Sequence, residues 1–120
     1  MKRSNYRTGH FAEKVGLFYL ILKGYCPVAI NYITGRGTGA GEIDLILKKE
    51  HTLVFVEVKK RQNLTTSAEA ITCKNQQRLA RAAEVFVKTH PIFQNHHIRF
   101  DAILFGKSMW PHHIKDAWRL

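Results

Sequence analysis

Apolar residues dominate two short stretches, 43–47 and 53–58, that a polar segment separates. Alternation along a strand places residues of equal parity on one face. The two stretches therefore predict a β-hairpin with one apolar face. Residues 53–56 are apolar at every position, which is typical of a central strand that is buried on both faces. The predicted apolar face contains Ile43, Leu45, Leu47, Val54, Val56 and Val58.

The register of this hairpin predicts that two carboxylates meet. If residues 49–52 form the loop, Asp44 lies opposite Glu57. The same register sets Glu42 opposite Lys59. Like charges directly opposite each other in a sheet cost roughly 0.2–1 kcal/mol, so a cation is expected between the carboxylates. Lys59 can supply part of that charge, and Mg2+ is commonly held by one or two carboxylates together with water.

A second interpretation of these charged residues is the solvated end of an ordinary hairpin. For an arbitrary hairpin, that interpretation would be preferred. Here the second strand argues against it, because charges that end a strand buried on both faces need a partner. The pattern therefore favours a functional acidic site and leaves the solvated end as the alternative.

The segment before the hairpin predicts one helix and one extended stretch. Apolar side chains recur at three- and four-residue spacing over about 9–23, and Gly24 is a good terminator. Glu13 lies near the start of this helix. An extended stretch is expected over 28–33, followed by a glycine-rich run over 35–41. That run enters a strand and lacks the Gly-Lys-Ser/Thr of a nucleotide-binding loop, so we interpret it as a flexible connection, with backbone approach to a nucleic-acid phosphate as the alternative.

After the hairpin, the pattern predicts a second helix and two strands. Thr66 and Glu69 have the spacing of a capping box, and the helix is expected to run to about Lys88, before a proline. Residues 98–105 predict a strand that follows a helical crossover, so it is expected to lie parallel to the central strand. Residues 110–120 predict a short strand and a tail.

The charge balance indicates a polyanionic partner. The chain has 19 Lys and Arg against 9 Asp and Glu, which gives a formal net charge of +10. Such a charge suits nucleic acid or an anionic membrane, and basicity alone does not choose between them. On the second helix, Lys74, Arg78 and Arg81 form a basic stripe at four- and three-residue steps. Taken alone, this stripe is better interpreted as a solvated helix face.

Length and composition argue against several other classes of protein. A chain of 120 residues predicts a single domain over 1–120. It has no run of eighteen apolar residues and no signal-type apolar core after its basic N-terminus, so we expect a soluble cytoplasmic protein. The two cysteines lack the spacing of a disulfide framework or a zinc ribbon. A zinc site at His96-His97 or His112-His113 is also disfavoured, because adjacent histidines point to opposite sides of a strand, and we expect these histidines at the surface.

The order of these features resembles the PD-(D/E)xK nuclease superfamily. The resemblance rests on Gly-Glu-Ile-Asp-Leu-Ile at 41–46 and Phe-Val-Glu-Val-Lys at 55–59, with Glu13 in an initial helix. Within the superfamily, the chain is similar over nearly its full length to the YraN family, a group of uncharacterised bacterial proteins similar to archaeal Holliday-junction resolvases. The resemblance implies an α/β fold with a restriction-endonuclease-like core, in which helices flank a central mixed β-sheet in the order α-β-β-β-α-β. Ile43 stands where the short motif of the superfamily has Pro.

By the same resemblance, the acidic site is a metal centre. Asp44 and Glu57 would ligate Mg2+ or Mn2+, with the Val58 carbonyl as a further ligand. Lys59 would position or help to activate the attacking water. Glu13 would reach the metal region from the first helix. The implied catalytic set is Glu13, Asp44, Glu57 and Lys59.

The activity that the resemblance implies is metal-dependent hydrolysis of phosphodiester bonds in DNA, including branched DNA in repair or recombination. It also implies a homodimer, because a junction resolvase needs two symmetry-related sites. No membrane partner is expected. The alternative is a catalytically inactive nucleic-acid-binding module, since members of a superfamily can lose the chemistry and keep the fold. The candidate nucleic-acid contacts are Lys74, Arg78, Arg81, Arg61 and Arg36.

Overall fold

The computed structural model describes residues 2–34, 41–60, 72–107 and 110–119, with side chains from residue 11 onward. Its helices and strands follow one another in the order that the sequence predicted, including the short strand near the end. In chain order they are α1 (Lys2–Leu22), β1 (Cys26–Ile33), β2 (Glu42–Lys49), β3 (Thr52–Lys60), α2 (Cys73–Thr89), a 3-10 turn (Pro91–Phe93), β4 (His97–Phe105) and β5 (Pro111–Ile114).

The strands form one mixed sheet with β3 at its centre. Its five strands lie in the order β1-β2-β3-β4-β5. The pair β3 and β4 is parallel, and the other neighbours are antiparallel. Because α2 lies between β3 and β4 in the chain, it supplies the crossover that a parallel pair requires. The predicted parallel strand, the central position of β3 and the short strand after residue 110 are therefore confirmed.

The hairpin of β2 and β3 has the predicted register and a shorter turn. Lys48 pairs with Leu53, as the sequence indicated. The next residues, Lys49 and Thr52, also pair, so the turn contains two residues rather than the predicted four. Glu50 has a φ of 55°, in the left-handed region that two-residue hairpin turns use.

Each face of the sheet carries one helix over one apolar cluster. Because β3 contributes to both clusters, the central strand is buried on both faces, as predicted. The cluster under α1 contains Ala12, Leu20, Tyr25, Leu45, Leu47, Val54, Val56, Ile103 and Phe105. The cluster under α2 contains Ile43, Ile46, Leu53, Phe55, Leu79, Ala82, Ala83, Phe86, Ala102, Leu104 and Trp118.

Ile43 departs from the predicted apolar face. It packs in the cluster under α2, whereas Leu45 and Leu47 pack under α1. The backbone pairing between β2 and β3 ends at Leu45 and Val56. Ile43 remains paired with Tyr32 of β1, which packs against the same cluster under α2, and the left-handed backbone of Asn31 (φ 51°) interrupts the regular alternation next to that pair. The prediction of one continuous face was wrong at this position.

The first helix is longer than its apolar periodicity indicated. It begins at Lys2 rather than near residue 9, because polar residues can extend a helix without adding to an apolar pattern. Its predicted end is confirmed: Gly24 has a φ of 96°, and the Tyr25 N–H donates to the Leu20 carbonyl at 3.0 Å. Among the described residues, no helix is both long enough and apolar enough to cross a membrane.

The second helix begins at Cys73, with Thr72 as its cap. The backbone of Thr72 is extended, and its hydroxyl accepts a hydrogen bond from the Asn75 N–H at 3.2 Å. The predicted capping residues, Thr66 and Glu69, lie outside the described residues.

Candidate metal and nucleic-acid site

The candidate site lies where β2 separates from β3. After the last backbone pair between these strands, the Val58 N–H donates to Asp44 Oδ2 at 2.9 Å. A side-chain carboxylate therefore takes the place of a backbone acceptor. In a strand, the N–H and C=O of one residue point the same way, so the Val58 carbonyl also faces β2. This arrangement leaves an oxygen-lined opening between the two strands.

Glu57 lies in this opening and is 5 % exposed. Its partner across the parallel pair is Ala102, which belongs to the cluster under α2, so the Glu57 side chain faces that helix. Lys59 Nζ is 3.7 Å from Glu57 Oε1, and Arg78 Nη2 is 3.6 Å from Glu57 Oε2. Within the part of the chain that the structure describes, Oε2 is buried and accepts no hydrogen bond.

The surroundings of Glu57 disfavour the ionised form of its carboxyl group. Burial, followed by the charge and hydrogen bond of Asp44, raises the pKa of Glu57 to about 8. The nearby charges of Lys59 and Arg78 lower the pKa, but they offset only part of the increase. The carboxylate repulsion predicted from the register is therefore present, although Asp44 and Glu57 lie beyond the paired part of the ladder.

A third carboxyl group, that of Glu13, reaches the same place from α1. Burial raises the pKa of Glu13 to about 7, and the nearby charge of Asp44 also raises it. A hydrogen bond with Asn31 acts in the opposite direction. Asp44 interacts with both glutamates, so it is the centre of the acidic cluster.

The donor chemistry of this cluster fits a hard divalent cation. The buried Glu57 Oε2, the Asp44 carboxylate and the Val58 carbonyl would supply only oxygen ligands, which Mg2+ and Mn2+ prefer. The described side chains include no complete cluster of three His, Cys, Asp or Glu at metal-binding distances. The fit is therefore to an ion such as Mg2+ that retains several waters and takes one or two carboxylates from the protein.

The predicted nucleic-acid contacts lie in different surroundings. Lys74 and Arg81 are exposed on α2. Arg78 instead turns into the acidic site, where it contacts Glu57 and donates to the Glu42 carbonyl at 2.9 Å. Arg36 and Arg61 lie outside the described residues.

Sequence reasoning missed a second polar cluster, centred on Asp101. Asp101 is fully buried, and its Oδ2 lies 2.7 Å from His113 Nε2. It also accepts two hydrogen bonds from Arg99, each at 2.8 Å, and one from the Asp116 N–H at 2.9 Å. Burial raises the pKa of Asp101, but the hydrogen bonds from His113 and Arg99 outweigh it and hold the pKa below its usual value.

The surface position expected for His113 was wrong, because its side chain is only 2 % exposed. Lys23 Nζ lies 3.3 Å from His113 Nδ1. An ammonium group can only donate, so His113 Nδ1 accepts the hydrogen bond from Lys23. The hydrogen of the imidazole is then on Nε2, which donates it in the hydrogen bond to Asp101 Oδ2. Alternation in β5 places one of two adjacent histidines inward, and this is the signal that could have identified His113.

A five-stranded mixed sheet with a helix on each face is consistent with a restriction-endonuclease-like core. Residues 12–105 match the model of "Uncharacterised protein family UPF0102". The chain therefore belongs to this family, which is the YraN family.

The similarity extends over almost the whole chain. A UPF0102 protein of Paramagnetospirillum magneticum is 40% identical over 114 residues, which cover 95% of this chain and 88% of the relative. A UPF0102 protein of Parvibaculum lavamentivorans is 41% identical over 114 residues, covering 95% and 83% respectively. A UPF0102 protein of Nitrobacter winogradskyi is 36% identical over 118 residues, covering 98% and 97%.

Proposed function

We propose that this protein is a metal-dependent endonuclease that hydrolyses phosphodiester bonds in DNA. The main support is the convergence of three carboxyl groups from three elements: Glu13 on α1, Asp44 on β2 and Glu57 on β3. Buried carboxyl groups that raise one another's pKa destabilise the fold unless a cation is present, and such groups are typical of functional sites. Lys59 supplies an adjacent positive charge.

The residues would share the chemistry as follows. Asp44 and Glu57 would hold Mg2+ or Mn2+, with the Val58 carbonyl as a further ligand. When bound, the ion supplies a more acidic water and neutralises charge on the reacting phosphate. Lys59, whose Nζ is 3.7 Å from Glu57 Oε1, would orient the attacking water and stabilise the phosphate. Glu13 would complete the acidic cluster from the side of α1.

The substrate that suits this site is DNA, including branched DNA in repair or recombination. The formal charge of +10 favours a polyanion, and exposed Lys74 and Arg81 lie on the same helix as Arg78, which contacts the site. Because cutting a symmetric junction needs two equivalent sites, the proposal includes a homodimer. The proposal also includes a cytoplasmic location, in the same compartment as the DNA substrate.

The direct test is cleavage of linear, flapped and four-way DNA by the purified protein with Mg2+ or Mn2+. We expect nicking that requires the metal. Asp44→Asn and Glu57→Gln should lower the rate by roughly 100-fold or more, since even outer-shell partners of a metal cost about 10–100-fold. Circular dichroism would verify that both variants fold. If no substrate is cut with either metal, the proposal is contradicted.

The second candidate is a nucleic-acid-binding module without catalysis. It is favoured by the two cations, Lys59 and Arg78, that already lie near Glu57 and reduce the need for a metal. This candidate predicts DNA binding that falls with salt and is the same with Mg2+ or with EDTA. The endonuclease predicts a metal-dependent increase in affinity for a non-cleavable DNA analogue.

A further inference from the structure

Arg78 joins the two strands that carry the central carboxylates. Its Nη1 donates to the Glu42 carbonyl on β2 at 2.9 Å, while its Nη2 lies 3.6 Å from Glu57 Oε2 on β3. The backbone ladder between these strands has already ended at Leu45 and Val56. Arg78 therefore bridges the strands where their own backbone atoms do not.

The start of β2 is shaped to accept this guanidinium. Gly41 has a φ of 71°, and a Cβ built there would lie 3.1 Å from Arg78 Nη1. The Gly41 carbonyl is fixed on its other side, because it accepts hydrogen bonds from the Thr34 N–H at 3.0 Å and the Thr34 hydroxyl at 2.8 Å. The glycine thus leaves space for the Arg78 side chain beside a fixed backbone.

On these contacts we propose that Arg78 is a positioning residue, which sets the separation between Asp44 and Glu57. Two side-chain contacts hold the opening: Asp44 with the Val58 N–H, and Arg78 with the Glu42 carbonyl and Glu57. The planar fork of arginine reaches both strands at once, whereas lysine offers one point charge. The inference rests on the proposed metal site, because ligands must be held to within about 0.5 Å.

The test compares Arg78→Lys and Arg78→Gln with Lys88→Gln, which removes one charge from an exposed position on the same helix. Mn2+ affinity is measured by calorimetry, and Val58 N–H exchange is measured by NMR in metal-free protein. We expect both Arg78 variants to bind Mn2+ about 10–100-fold more weakly than wild type. Val58 exchange should accelerate in both, and Lys88→Gln should match wild type in both measurements.

A role of Arg78 as a charge alone predicts a different pattern. Removing a cation beside the site would tighten Mn2+ binding in Arg78→Gln and leave Arg78→Lys unchanged. Either result, or wild-type Val58 exchange in both variants, would overturn the positioning role. If Arg78→Gln does not fold, Arg78→Lys decides.

The two proposals fail in different ways. If the wild type binds no Mn2+, the metal site fails, and Val58 exchange then decides whether Arg78 holds the strands. If the wild type binds Mn2+ and Arg78→Lys binds it equally well, the metal site stands and the positioning role is rejected.

Discussion

At the scale of single residues, Glu57 lies between one acidic neighbour and two basic ones, away from water. Burial and Asp44 raise its pKa to about 8, against an ordinary value of 4.5. Between these values, the folded protein binds a proton that the unfolded chain has released. Stability from this group is therefore fully present below about pH 4.5 and is lost as the pH rises toward about 8.

We expect Glu57→Gln to remove this pH dependence in the metal-free protein. Glutamine has the same shape and no charge to bury, so the variant should gain stability relative to wild type as the pH rises from 5 to 9. Urea unfolding in EDTA across that range measures the difference. Parallel curves for the two proteins would contradict the prediction.

Bound metal should stabilise wild type more than it stabilises Glu57→Gln. A cation bound to ionised Glu57 stabilises the folded state in proportion to its affinity, and the glutamine variant lacks that ligand charge. In saturating Mn2+ at pH 8, we therefore expect wild type to unfold at higher urea than in EDTA, with a much smaller shift for Glu57→Gln. A sodium salt of equal ionic strength, without divalent cations, serves as the control for salt effects.

At the scale of elements, the Asp101 cluster connects β4 to parts of the chain that lie far apart in sequence. Its donors come from β4 itself, from β5 through His113 and from the following turn through Asp116. Arg99 also donates to the Tyr25 hydroxyl at 2.7 Å, which extends the network to the segment after α1. These contacts fix the edge of the sheet opposite β1.

We expect Asp101→Asn to be strongly destabilising. The amide keeps the size of the side chain but removes the charge that Arg99 faces in a buried position, and breaking a buried pair costs about 3–5 kcal/mol. His112→Gln, at the exposed neighbour of His113, should stay within about 0.5 kcal/mol of wild type. Urea unfolding at pH 7 measures both variants, and equal stabilities would contradict a structural role for the cluster.

The parts of the fold that depend on local pattern could be predicted from the sequence. The register of Lys48 with Leu53 followed from the position of the polar turn, because the observed two-residue turn has the same centre as the predicted four-residue loop. The arrival of Glu13 at the hairpin came only from the family resemblance, because no local pattern connects α1 to β2. Asp101 and His113 were missed as partners because their contact depends on how two strands pair.

Arg78 illustrates the limit of helical spacing. It was grouped with Lys74 and Arg81 as a basic stripe, and those two residues are indeed exposed. Spacing along a helix gives a side chain's direction only to within a broad arc, and it contains no information on what lies opposite. The contact between Arg78 and Glu57 therefore required the packing of α2 on the sheet.

At the scale of the whole molecule, the excess positive charge can account for DNA binding only if it lies on one surface. Lys74 and Arg81 lie on exposed positions of α2, on the side of the sheet that Glu57 faces. Lys115 is also exposed but follows β5 at the edge of the sheet. The chain thus offers matched lysine variants on two different surfaces.

We expect DNA affinity to depend on salt through α2 and not through the β5 edge. Each phosphate contact contributes about 0.9 to the slope of log affinity against log salt concentration. Lys74→Gln and Arg81→Gln should each lower that slope by about one, and Lys115→Gln should leave it unchanged. Binding to duplex DNA between 50 and 300 mM NaCl, in EDTA to prevent cleavage, gives the three slopes. If Lys115→Gln lowers the slope as much as the α2 variants, the charge acts diffusely, and α2 does not form the DNA-binding surface that places a phosphodiester near Glu57 and Lys59.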